Sequence, residues 1–214
     1  MKMLFYTLLF VLSPAFVSAQ QSAEARKILD KAYALYEESY GIKLSFGITL
    51  IEAGGTKYPA QSGVALVKGN KFKLETDEME TWFDGKTQWV LMKDADEVNI
   101  SSPTSKEIAS ISPLALLSMY KSGYSLGNPL SKTTQGKAVY QIEMTPSTQQ
   151  GDFKHISVWV DKQGYSVLQV ELTMKDNSKS VIEISNYNAN NNFPDATFVF
   201  NKDLYPKTEI IDLR

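Results

Sequence analysis

The fourteen residues METWFDGKTQWVLM, at 79–92, restrict the folds open to this chain more than any other stretch. Asp84-Gly85 stands between two runs of aromatic and β-branched residues, a pattern that predicts a tight hairpin. A two-residue turn would set Phe83 opposite Lys86, Trp82 opposite Thr87 and Glu80 opposite Trp89. One face of the hairpin then carries Met79, Phe83, Val90 and Met92, and the other carries Trp82, Trp89 and Leu91. Both faces are apolar. An antiparallel sheet can leave one face in water, so any fold for this chain has to cover the second face as well.

The rest of the chain supplies many strands and few helices. Ser22 opens an amphipathic helix to about Tyr40, in which Ala25, Ile28, Leu29, Ala32, Leu35 and Tyr36 recur at helical spacing before Gly41 stops it. From Ile42 the period changes to two: Ile42, Leu44, Phe46, Ile48 and Leu50 alternate with Lys43, Ser45, Gly47 and Thr49. Further strands are predicted near 60–68, 71–77, 79–84, 86–92 and 96–101, then 137–145, 153–161, 165–175, 179–188 and 196–201. The turns Lys68-Gly69-Asn70, Lys162-Gln163-Gly164 and Asp176-Asn177-Ser178 separate several of them. Sequential hairpins without the spacing of a crossover helix predict an antiparallel meander. Between its halves, Thr104 and Glu107 form a capping-box pattern. Ser112-Pro113 then starts a short helix whose Leu114, Leu116, Leu117, Met119 and Tyr120 lie nearly all round it, so that it wants burial on every side.

The first nineteen residues are expected to be a leader rather than part of the fold. Lys2 precedes the apolar run MLFYTLLFVL, and Val17-Ser18-Ala19 places small residues before Gln20, the pattern of a secretory signal peptide cleaved after Ala19. Residues 20–214 then read as a single domain. There is no cysteine, which excludes both a disulfide framework and a lipidated cysteine at the cleavage point. Export without either device makes the bacterial periplasm the expected compartment. With 22 basic against 24 acidic side chains and no basic block, nucleic acid is not an expected partner.

Residues for bond-making chemistry are sparse. The one histidine, His155 in FKHISVWV, falls on the face opposite Ile156 and Val158, and with no cysteine it completes neither a zinc cluster nor a Cys-His pair. No glycine-rich phosphate loop follows a strand, and Glu75, Asp77, Glu78 and Glu80 read as a solvated rim. No catalytic residue, metal ligand or cofactor is assigned, and the protein is not expected to be an enzyme.

What remains is a covering problem. About ten antiparallel strands must curl, and their inner face exceeds what one long helix can hide. A closed barrel packed solid is one solution. An incomplete barrel whose hollow is stopped by helices that move is another, and it leaves a cavity for an apolar ligand.

At this point the residues resemble a known family. FDGKTQW, with Asp84, Gly85, Lys86, Thr87 and Trp89, is similar to the hairpin of the periplasmic outer-membrane lipoprotein carriers, the LolA family. The amphipathic N-terminal helix, the strand ending Leu66-Val67-Lys68, the segment beginning Ser112-Pro113-Leu114, the hairpin FKHISVWVDKQGYSVLQVELTMKD, and Asn192-Phe193-Pro194 before Phe198-Val199-Phe200 follow in family order. The resemblance implies an open half-barrel, mainly β with an N-terminal helix and short lid helices, that receives lipoprotein acyl chains. It implies an inner-membrane lipoprotein-releasing transporter as a partner and leaves open whether an outer-membrane receptor exists. On that scaffold Leu44, Phe46, Leu66, Leu91, Ile156, Val158, Leu168, Val170 and Leu172 are expected to line the hollow, and Leu114, Leu117 and Tyr120 to close it. One departure concerns the latch: the family pattern has an arginine followed by proline after the first hairpin, holding the lid, and here the chain reads Lys68-Gly69-Asn70. A lysine matches the charge but lacks the planar fork of a guanidinium. The expected function is a periplasmic carrier that moves lipoproteins from the inner to the outer membrane. The alternative is a lipid-binding or lipoprotein-sensing protein on the same scaffold that does not shuttle.

Overall fold

The computed structural model describes residues 15–104, 107–108, 113–148 and 151–214, with side chains described from Ala23 onward and, in the short second helix, from Leu116. Helix α1 spans Ala15–Glu37. It starts earlier than Ser22 because nothing between Pro14 and Ser22 breaks a helix, and it therefore runs through the expected cleavage point. Most of the leader, residues 1–14, lies outside the described residues. The stripe Ala25, Ile28, Leu29, Ala32 and Tyr36 is buried as its spacing predicts.

The strands are β1 Ile42–Ile51, β2 Gln61–Lys68, β3 Lys71–Thr76, β4 Met79–Phe83, β5 Gln88–Met92, β6 Glu97–Ser101, β7 Tyr124–Leu126, β8 Leu130–Thr134, β9 Lys137–Pro146, β10 Phe153–Asp161, β11 Val167–Met174, β12 Lys179–Asn188 and β13 Glu209–Asp212. They form one sheet in the order β13-β6-β5-β4-β3-β2-β1-β12-β11-β10-β9-β7, with β8 also paired to β9. Two meanders, β1–β6 and β7–β12, thus meet where β1 lies antiparallel to β12. Only β13 runs parallel to its neighbour, β6. The edges β13 and β7–β8 do not pair with each other, so the sheet curls without closing, as expected for a half-barrel.

Two predictions about local structure need correction. Residues 196–201 are not a strand: after Pro194 the chain makes a 3-10 turn, Asp195–Phe198, which plugs Phe198 into the interior. Lys68 Nζ and Lys71 Nζ hold Asp195 at 3.0 and 2.8 Å, which fixes that turn. The hairpin loop at Asp84 is also longer than two residues. Phe83 pairs with Gln88 and Trp82 with Trp89, because Asp84 Oδ1 accepts hydrogen bonds from the Lys86 and Thr87 amides at 2.9 and 2.8 Å. Gly85 adopts φ +102° within that loop. The register moves by two residues, so each side chain keeps the face that the alternation gave it.

The two faces of the hairpin are covered separately. On the convex side Trp82, Leu91 and Val98 form a cluster with Phe200, flanked by Trp89 and Tyr205. The C-terminal segment therefore provides that cover, and β13 continues it along the edge. Glu80 is buried beside this cluster, where Lys73 Nζ reaches it at 3.0 Å and Tyr205 Oη donates to it at 3.3 Å. Burial, with Glu80 second, pushes the Tyr205 phenol up to about 12.

Candidate functional site

The concave side is closed at one end and open at the other. Helix α2, Pro113–Ser118, continues as a 3-10 turn, Met119–Lys121, and lies beside α1 over one end of the curled sheet. Tyr120 is fully buried, and its hydroxyl donates to Asp30 of α1 at 2.5 Å. Burial, then the bond to Asp30, raises the Tyr120 phenol far above its ordinary range. Tyr33 meets the Tyr120 ring edge-on with centroids 6.5 Å apart. Two cations add to it: Lys121 of the lid lies over the Tyr33 ring with Nζ 3.3 Å from the centroid, and Arg26 of α1 lies over the Tyr120 ring at 5.9 Å. Lys68 is engaged elsewhere: its Nζ donates to the Phe193 carbonyl at 2.8 Å and pairs with Asp195.

Beneath α2 lies a cavity of about 410 Å³, within the size range of ligand pockets. Its depth follows the strands. Along β1 the inward side chains run from Ile42 and Leu44, 0% and 1% exposed, through half-buried Phe46 and Ile48 to Leu50 at 50%. Phe83 to Met79 along β4 repeats the trend. The helices thus seal one end and leave the other to solvent. Gly63 lies opposite Phe46. A Cβ there would sit 2.5 Å from Phe46 Cζ, so glycine lets the Phe46 ring lie across β2.

The expected wall residues divide. Leu44, Phe46, Ile156, Val158 and Val170 line the cavity, with Leu117 over it from α2. Leu172 is buried in the same core without reaching the wall. Tyr120 lies behind the lid on α1, and the side chain of Leu114 lies outside those described. Three placements are corrected. Leu66 faces away because its neighbours Ala65 and Val67 pair with Leu44 and Ile42 and take the inner face. Leu91 belongs to the convex cluster with Trp82. Leu168 is buried off the wall, since the register shift between Trp159 and Val160 on β10 sends Val167 inward instead.

Sequence reasoning missed Val167, Ile182 and Ile184, and the polar wall residues Thr76, Thr81 and Gln88. Ile48, Ile182 and Ile184 were findable by extending strict alternation from Leu44 and across the β1–β12 pairing. Gln88 shares the inward face of Val90 by the same alternation, but its polar side chain gives no apolar signal. Tyr36, also on the wall, is buried with a hydroxyl that has no hydrogen-bond partner among the described residues, and burial, then the nearby Tyr187, raises its phenol far above the ordinary range. His155 lies on β10 opposite the cavity side, as its alternation with Ile156 predicts. Among the described residues no group of three or more His, Cys, Asp or Glu could hold a metal ion, and no helix is long and apolar enough to cross a membrane. Chemically, the arrangement can desolvate a hydrocarbon.

Comparison with known proteins agrees with this architecture. Residues 15–178 match a family described as outer membrane lipoprotein carrier protein LolA. No curated protein matches the chain. Among solved structures, an uncharacterised conserved protein of Thermus thermophilus superposes with a TM-score of 0.61 at 10% identity, covering 88% of this chain and 99% of the other. A putative outer membrane lipoprotein-sorting protein domain from Vibrio parahaemolyticus has a TM-score of 0.49 at 12% identity, covering 87% and 100%. The Mycobacterium tuberculosis lipoprotein LppX has a TM-score of 0.46 at 15% identity, covering 82% and 97%.

Proposed function

Because this chain belongs to the outer membrane lipoprotein carrier family typified by LolA, we propose that it binds lipoprotein acyl chains in its cavity and carries lipoproteins from the inner to the outer membrane as a periplasmic chaperone. The observation that carries the reading is the cavity itself: about 410 Å³, walled mainly by aliphatic and aromatic side chains and open at one end. Residues 1–19 would serve as the export signal and residues 20–214 as the carrier domain. An inner-membrane transporter would load it, and an outer-membrane acceptor would receive the cargo.

Energetics constrain such a carrier. Each buried methylene contributes about 0.8 kcal/mol, so a dozen contribute ~10 kcal/mol. Full burial would hold cargo too tightly for transfer, and the open end of the cavity limits how much of a chain is buried. The test is to incubate the purified protein with membranes bearing an acylated lipoprotein and the inner-membrane releasing machinery. A soluble complex of the two proteins is the expected product. If the lipoprotein stays in the membrane while the protein still takes up free acyl lipids, the non-shuttling, lipid-sensing reading replaces transport. What favours that second reading is Lys68, which clasps Phe193 and Asp195 rather than the lid.

A further inference from the structure

One side chain lines two adjoining hollows. Gln88 forms part of the wall of the apolar cavity and also of a recess of about 570 Å³ at the β6–β13 flank. Ser101, Ser102, Glu107 and Arg214 line that recess beside it. The two spaces differ in character, one greasy and the other polar, and they meet at an amide.

That amide is half committed. Ser101 Oγ donates to Gln88 Oε1 at 3.4 Å, while Gln88 Nε2 donates to none of the described residues. The other wall glutamine, Gln61, is exposed and spends its Nε2 on Glu78 at 3.5 Å. The charges around the recess are also engaged. Arg214 forks onto Asp212 through Nε at 2.9 Å and Nη2 at 2.6 Å. Glu107 accepts from the Thr104 amide and hydroxyl, each at 2.7 Å, and the amide first, then the hydroxyl, holds its carboxyl below the ordinary range. Among the described residues the recess thus offers hydrogen bonds, a guanidinium already paired with Asp212 and the Glu107 carboxylate, but no uncommitted cation, which favours a neutral head group over a phosphate.

We propose that the recess at Gln88, Ser101, Ser102 and Arg214 holds the polar end of an ester- or amide-linked acyl ligand, and that Gln88 Nε2 donates to the carbonyl joining head to tail. The geometry of such ligands matches: a hydrocarbon, one carbonyl at the junction, then a neutral hydrogen-bonding group. The inference rests on the reading of the cavity as an acyl-chain site and adds the linkage that it selects.

A matched pair of probes tests it. 1-Monopalmitoylglycerol carries the carbonyl, and 1-O-hexadecylglycerol replaces it with an ether methylene. The wild-type protein is expected to bind the ester about fivefold more tightly, the worth of one ordinary hydrogen bond. Gln88→Met, which keeps the side-chain length, should bind both equally at the ether's affinity. The carbonyl stretch of 13C-labelled ester bound to wild type should move to lower frequency, a readout that needs no variant. Equal binding of ester and ether by wild type, an unshifted stretch, or a preference that survives Gln88→Met overturns the proposal while leaving the cavity reading intact. Binding of neither probe by wild type overturns both.

Discussion

Trp82 and Phe200 meet edge to face, ring centroids 5.4 Å apart and planes at 69°, on the side of the hairpin turned away from the cavity. Stability and ligand binding are therefore separable at this hairpin. Phe200→Ala is expected to cost about 3–5 kcal/mol, the range for truncating a buried aromatic. The midpoint of urea unfolding would show it. Acyl-ligand affinity of the folded protein should stay within about twofold, and a large loss of affinity would mean that the two faces are coupled.

The Tyr120–Asp30 bond makes the opposite prediction, a change in kinetics more than in stability. Tyr120→Phe removes the hydroxyl and keeps the ring, and Asp30 is exposed enough to find water. The expected loss is about 1 kcal/mol. If that bond holds the lid, a fluorescent fatty acid should leave the variant about fivefold faster. An unchanged dissociation rate would show that α2 does not gate the cavity.

Tyr36→Phe is expected to stabilise the protein. The wild-type hydroxyl is buried without a partner among the described residues, which leaves its desolvation uncompensated at about 1–3 kcal/mol. The variant should melt higher by differential scanning calorimetry. A lower melting temperature would reveal a partner for this hydroxyl in solution.

Asp195 is expected to contribute to acid sensitivity. Hydrogen bonds from Lys71, then Lys68, together with their charges, hold its carboxyl below the ordinary range. A depressed folded-state value means that the stabilisation is present above the unfolded value of about 3.9 and is lost as pH falls through the folded one. Asp195→Asn should therefore lower the melting temperature at neutral pH and narrow its distance from wild type as pH drops from about 5 to 2. A gap between the two that is independent of pH would contradict this.

How far the sequence reaches can be judged residue by residue. Alternation from Ile42 to Leu50 orients β1 correctly, and the faces of the 79–92 hairpin survive a turn two residues longer than expected, since a shift of two preserves parity. Leu66 fails because Val64-Ala65-Leu66-Val67 is apolar throughout, and a continuous run carries no phase. There the small Ala65, fully buried, takes the inner side. Leu168 fails because a bulge leaves no mark in composition. The convex cover was illegible for another reason: Phe200 and Tyr205 approach Trp82 from more than a hundred residues away, and neither lies in a regular element long enough to show a period.

The graded wetting of β1 has a kinetic consequence. Two residues of strand advance about 6.6 Å, so a hydrocarbon sliding outward past Leu44, Phe46 and Ile48 gives up its contacts in instalments and is rehydrated from the leading end. Its departure barrier is then the steepest single step instead of the entire affinity, and lengthening the tail beyond Leu50 should strengthen retention no further.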